Sequence, residues 1–258
     1  MKENKNRRWL CRWMLVILCL ILAFVNVPYA VEAAAGDNKL EIAFIDVGQA
    51  DAALIQCDGH SMLIDGGNVA DSSKMYTVMK NHKITQLDYV IGTHAHEDHI
   101  GGIAGALNYA SVKTVYAPVT SYDSKAFQNF KKAVEKNGIT LTVPKQGETF
   151  SLGSAECVIL AVNTESDTNN TSIVLRITYG NTSFLFTGDA EREVEQAILN
   201  SEQDIQSTVS ENRQHAQTAG LFHLLGTIFS CNTQSIPAKK WLHQAENPSP
   251  PLIFPVFR

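Results

Sequence analysis

Residues 93–102 read THAHEDHIGG, so three histidines and two carboxylates fall between His94 and His99. The H-x-H-x-D-H order sets His94 and His96 two positions apart, on the same side of an extended segment. Asp98 and His99 follow at what reads as a helix entrance, where the chain turns back. Four side chains can then converge on a small volume without long-range folding. Imidazole and carboxylate together suit zinc, and they also suit manganese or iron. Gly101 and Gly102 let the helix start pack closely against neighbouring backbone. A polar loop would account for one such histidine, but not for three with an aspartate directly after an apolar strand. The segment reads as metal-binding.

The 258 residues and 45% hydrophobic content are enough for a sizeable core. The first 35 residues stand apart from it. MKENKNRRWLCRW carries five basic residues, MLVILCLILAFVNV is apolar, and PYAVEAAAG supplies small residues near Ala33 and Ala35. That order reads as a secretory signal peptide cleaved at its end, giving an exported, extracellular protein. A retained segment would instead anchor the chain, although a stable span usually needs about 20 apolar residues. In either case the segment makes transient membrane contact. A lipoprotein signal fits less well, because Leu18 precedes Cys19.

Without residues 1–35 the formal charge moves from −5 to −8. This acidity argues against a broad basic groove for nucleic acid. Cys57, Cys157 and Cys231 remain, too few and too scattered for a disulfide framework. Cys57 and Cys157 read as buried free thiols.

Strands are expected at 40–48, in two runs within 52–67 around Asp58-Gly59, and at 87–93. Helices are expected over 72–82, capped by Asp71 or Ser72, and over 99–110. VKTVYAP reads as strand, SKAFQNFKKAVEKNG as an amphipathic helix and ITLTV as strand. ETFSLG, AECVILAV, TSIVLRITYG and TSFLFTGDA form a hairpin-like series, and 191–199 a closing helix. Strands alternating with helices and then clustering in hairpins imply helix-covered α/β sheets, without a dinucleotide or phosphate-loop pattern. After about Thr208 the character changes. Five of the eight prolines lie in the last 22 residues, and NPSPPLIFPVF is unsuited to ordinary helix or interior strand. Residues 36–209 read as the domain and 210–258 as an atypical tail.

The H-x-H-x-D-H spacing resembles the first metal motif of the metallo-β-lactamase fold family. FLFTGDA (184–190) is similar to that family's strand-end motif, whose aspartate bridges two metals; here it is Asp189. The flanks FIDVGQADAALIQ, MLIDGG and NNTSIVLRITYGNTSFLFTGDAE resemble the metallo-hydrolase domain of the ComEC competence family and its exported relatives. Ala50 stands where that family usually has a second glycine. The resemblance covers about 39–209 and implies an αββα sandwich, incomplete in its second half. It implies that Asp46, Gln49 and Asp51 line or support the site, that Asp65 orients a metal-binding histidine, and that Asn170 and Ser172 lie near. From the residues alone, Asp46 and Asp65 fit strand-end caps of loop amides equally well.

Two divalent ions, zinc or manganese, would then be shared among these groups: His94 and His96 on one, Asp98 and His99 on the other, Asp189 between. Such a pair acidifies a water toward pKa ~7 and polarises the bond attacked. Asp98 would also orient the attacking hydroxide. The resemblance implies a phosphodiesterase or nuclease, with a phosphoester or nucleic-acid substrate. The same centre also serves acyl hydrolysis of small lactams and thioesters.

One part of the resemblance is missing. The family supplies a further histidine to each metal from K-x-G-H-H-G-S and x-Y-x-H-P segments, and neither occurs here. His215, His223 and His243 sit in other contexts, and His60 and His82 read as surface residues. Back-translated with a one-base forward shift, SENR (210–213) permits the family's Leu-Lys-x-Gly. KKWLH (239–243) treated likewise permits Asn-Gly-Tyr. The tail is thus compatible with a shifted reading frame, and the chain with a catalytically impaired remnant or a metal-holding binding module.

Overall fold

The computed structural model describes residues 39–164 and 168–201, with the backbone of 209–211 and 252–257. The segment read as a signal peptide lies outside the described residues, as do Cys231, His215, His223 and His243. Among the described residues no helix is long and apolar enough to cross a membrane.

The elements are β1 (Lys39–Phe44), β2 (Ala52–Cys57), β3 (His60–Asp65), α1 (Ser72–Asn81) and β4 (Gln86–Ile91). Then come α2 (Glu97–Ile100), α3 (Ile103–Leu107), β5 (Ser111–Tyr116), α4 (Lys125–Lys136) and β6 (Leu141–Thr142). The hairpin series is β7 (Thr149–Leu152), β8 (Ala155–Ala161), β9 (Val174–Tyr179) and β10 (Thr182–Phe186), followed by α5 (Arg192–Asn200). Short strands β11 (Val209–Glu211) and β12 (Leu252–Phe257) complete the list.

Two sheets result, ordered β12-β1-β2-β3-β4-β5-β6 and β11-β10-β9-β8-β7. Strand alternation explains the layering. In β2, Leu54 faces Leu63, Met75, Met79, Phe127 and Phe130 under the helices. Ala53, Ile55 and Cys57 face the other way, against Leu152, Ile159, Leu175 and Phe186 of the smaller sheet. The larger sheet is therefore apolar on both faces, which is why its strands read as nearly continuous hydrophobic runs. The outer face of the smaller sheet buries Leu160, Val174 and Leu185 with Val194 and Ile198 of α5. The order helix, sheet, sheet, helix is the expected αββα sandwich. Cys57 and Cys157 are buried and free, and burial pushes both thiols up.

The amphipathic helix is α4. Ser124 caps it by accepting from Phe127 N at 3.1 Å, worth about 1 kcal/mol. Phe127 and Phe130 on its inner face each contribute about 2 kcal/mol by burial.

Two expectations need correcting. The helix expected over 99–110 is broken into α2 and α3 at Gly101 and Gly102. The reason is a competing set of partners: His99 O accepts from Gly66 N at 2.7 Å, and Gly102 N donates to Gly67 O at 3.0 Å. Main-chain groups that would continue the helix instead hold the loop after β3. The strand expected over ITLTV shrinks to Leu141–Thr142, paired only with the end of β5. At the other end of the chain β12 runs antiparallel to β1, with Pro255 opposite Glu41. It occupies the edge of its sheet, where proline is tolerated.

Glu195 on α5 is only 7% exposed, and burial, then Glu193, push its carboxyl up to about 7 against the opposing charge of Arg192. The folded chain keeps this proton where the unfolded chain has lost it, so stability falls as pH rises from about 4.5 to about 7. Glu195→Gln is expected to raise the urea midpoint at pH 8, by about 1 kcal/mol of stability, and to leave it unchanged at pH 4.

Candidate metal centre

The site lies at one edge of the sandwich, where strands of both sheets end. β4 ends at Ile91 and delivers Thr93 and His94, and α2 presents Asp98 and His99. β3 ends on Asp65, and the loop after β10 carries Gly188 and Asp189. The loop between β1 and β2 adds Gln49 and Asp51.

Asp189 lies between the two inner histidines. Its Oδ1 is 3.5 Å from His99 Nε2, and its Oδ2 is 3.9 Å from His94 Nε2. Among the described residues, ligand atoms of His94, His99 and Asp189 lie within 4.8 Å of one another. Two ligands each ~2.1 Å from one ion at a tetrahedral angle stand about 3.4 Å apart. The two Asp189 pairs lie near that spacing and suit small divalent cations, and Asp98 is not among this set. His96 Nδ1 is 3.0 Å from His94 Nε2, which joins the third histidine to the group. Asp98 lines an open cleft of about 180 Å³ with Gly48, Gln49, Ala50, Asp51, His99 and Asp189.

Behind the ligands stands a hydrogen-bonded brace. Asp65 Oδ2 takes His99 Nδ1 at 2.8 Å and the Thr93 hydroxyl at 2.7 Å, while Oδ1 takes Thr93 N at 2.8 Å. Asp65 therefore serves both readings left open above, since it faces a histidine and caps a loop amide. It does so from a left-handed backbone, φ 55°, a conformation aspartate tolerates better than most residues. Asp51 Oδ2 lies 3.9 Å from His99 Nδ1, and its backbone N donates to Asp98 O. Ser172 Oγ accepts from Asp189 N at 3.2 Å and sits 3.5 Å from His94 Nδ1. Asn170 Oδ1 accepts from Glu191 N at 3.0 Å, fixing the chain just past Asp189. Asp46 is exposed and accepts from Gly48 N at 3.1 Å. It braces the loop and is not among the residues lining the cleft.

Electrostatics separate the two inner histidines. Burial and the neighbouring His99 push His94 down to about 3, against the pull of Asp189. Burial also opposes the charge on His99, but Asp65 and Asp189 on its two nitrogens raise it to about 11. The carboxylates on its two sides thus favour the charged ring of His99 in the absence of a cation.

The residues that sequence reasoning missed are Thr93 and Glu191. Thr93 was visible as the neighbour of His94, but only the fold shows that its hydroxyl turns inward. Glu191 receives the amides of Asn169 and Asn170 at 3.1 and 3.3 Å, a contact across a loop with no sequence signature.

The model of the metallo-β-lactamase superfamily matches residues 45–227. ComE operon protein 3 of Bacillus subtilis (strain 168) is 26% identical over 213 residues, covering 74% of this chain. The chain spans about a quarter of that relative's length, 27%. Among solved structures, the metallo-β-lactamase fold protein YhfI from Bacillus subtilis is 20% identical with a TM-score of 0.42, over 58% of this chain and 62% of its own. CmlA, a diiron β-hydroxylase from Streptomyces venezuelae, is 20% identical with a TM-score of 0.39, over 60% of this chain and 30% of its own. With a family match over most of its length, the chain belongs to the metallo-β-lactamase superfamily, a group generally of metal-dependent hydrolases.

Proposed function

We propose that the chain is an exported metal-dependent hydrolase that cleaves phosphodiesters. The observation that carries this reading is the Asp189 carboxylate, which turns one oxygen to His94 and the other to His99. His94 and His96 would hold one ion and Asp98 and His99 another, with Asp189 shared by both groups. Bound there, two zinc or manganese ions supply Lewis acidity and a water made acidic enough to attack near neutral pH.

The chain's own residues do the remaining work. Asp98 lines the cleft and would accept a hydrogen bond from the attacking water, orienting it toward the substrate. Asp65 keeps His99 from rotating, and Ser172 fixes the backbone that carries Asp189. The open cleft beside Gln49 admits an ester from solvent. The choice of a phosphodiester rests on the ComEC-like motifs, and the charge of −8 on residues 36–258 favours short substrates over long nucleic acid.

The test loads the purified chain with zinc or manganese and offers a chromogenic phosphodiester and a chromogenic β-lactam. Phosphodiester turnover with two ions per chain is expected. Turnover of the β-lactam alone would transfer the assignment to acyl hydrolysis. One weakly held ion without turnover would make the chain a binding remnant, and an interrupted frame near residue 208 in the coding DNA would then supply the cause.

A further inference from the structure

Thr93 is 1% exposed, and every polar atom it owns is engaged. Its N–H and hydroxyl donate to the two oxygens of Asp65, at 2.8 and 2.7 Å. Its carbonyl accepts from Ile173 N at 2.9 Å, a bond from the larger sheet to the smaller. Gly188 presses on the other side. A Cβ built there would stand 2.9 Å from Thr93 Cβ and 3.1 Å from Ser172 Oγ. The threonine is therefore held in one rotamer by both sheets.

The same hydroxyl oxygen lies 3.2 Å from His94 Nδ1 and 3.4 Å from His99 Nδ1. A hydroxyl has one hydrogen, and here it points at a carboxylate, which only accepts. Toward His94 the oxygen can act only as an acceptor, so that contact is favourable when His94 Nδ1 carries hydrogen. Ser172 accommodates either tautomer, because its hydroxyl hydrogen is not committed by its bond from Asp189 N. Thr93 accommodates one.

We propose that Thr93 is a positioning residue of the centre: its hydroxyl, committed to Asp65, fixes His94 as the Nδ1–H tautomer and leaves the Nε2 lone pair on the side shared by His96 Nδ1 and Asp189. His99 gives its Nδ1 hydrogen to the same Asp65 oxygen, at 2.8 Å. One hydroxyl–carboxylate pair thus orients an imidazole from each half of the site. His94 then needs no change of tautomer before a cation arrives, which lowers the reorganisation that binding requires, while His99 has only its Nε2 proton to give up.

The inference rests on the reading that His94 and His99 are metal ligands, and its test separates the two. In the full chain without metal, long-range 1H–15N correlation on histidine-labelled protein reports the tautomer of His94. The Nδ1–H form is expected. An Nε2–H form in the parent overturns the proposal, whatever the chain does with metal. Zinc affinity is then measured by chelator competition for the parent, Thr93→Ser and Thr93→Val. Thr93→Ser is expected to match the parent within about twofold, and Thr93→Val to bind about 10–100-fold more weakly with a mixed His94 tautomer. Thr93→Val binding at the parent's level with the tautomer unchanged overturns the proposal. If circular dichroism shows that Thr93→Val does not fold, the smaller Thr93→Ala carries the same two readouts. A parent that takes up no zinc sinks the ligand assignment and leaves the tautomer result to stand or fall separately.

Discussion

Asp189→Asn is expected to lower hydrolysis by about 10³-fold and to reduce the bound metal from two ions toward one. The amide keeps the size of the carboxylate but offers one acceptor oxygen where the site uses two, facing His99 at 3.5 Å and His94 at 3.9 Å. It also removes the negative charge that holds two cations close together. Metal analysis of the purified variant, read beside turnover, checks both halves of the expectation. Asp88→Asn is the matched control, since Asp88 lies in the first half of β4, away from the end that delivers His94, and binds His60, Ser61 N and Lys113. It should retain the parent's metal content. Equal metal loss in both variants would mean that Asp189 acts through folding rather than ligation.

Gly102→Ala is expected to cost about 3 kcal/mol or more, enough to unfold a marginal domain at 37 °C. A Cβ at this position would lie 2.0 Å from Gly66 O, and both atoms belong to backbone that cannot rotate away. Relief requires α3 to lift from the loop after β3, which begins next to Asp65, the partner of His99. The urea midpoint should fall and, in whatever fraction stays folded, metal affinity should fall with it. Gly138→Ala separates this steric effect from conformational preference. Gly138 has φ 76° but nothing within 4 Å of a built Cβ, so its cost should be only about 1 kcal/mol.

Much of the centre was legible because its residues are close in sequence. His94, His96, Asp98 and His99 lie on one strand end and the helix that follows; local geometry brings the three histidines together and leaves Asp98 lining the cleft beside them. Asp189 comes from the other sheet, and only the strand-end motif pointed to it. The roles of Asp46 and Asp65 could not be separated from sequence, because both are aspartates at strand ends. They differ in what packs against them: Asp65 is buried beneath the H-x-H-x-D-H segment and Asp46 faces solvent. The break between α2 and α3 was hidden for a related reason. The apolar and small residues from Ile100 to Ala110 suit one helix, and the bonds that divide it come from Gly66 and Gly67, thirty-odd positions upstream.

The outer pairing of the larger sheet closes a circuit. Lys39–Phe44 is zipped to Leu252–Phe257, so the first strand described here is bordered on one side by the last. A ribosome makes Lys39–Phe44 long before Leu252–Phe257. The first strand must therefore wait with one flank bare while the intervening sandwich assembles. Such long-range closure is slow, and an unpaired flank invites other chains. The wait for Leu252–Phe257, rather than the building of the metal pocket, is when this protein is most exposed to mispairing.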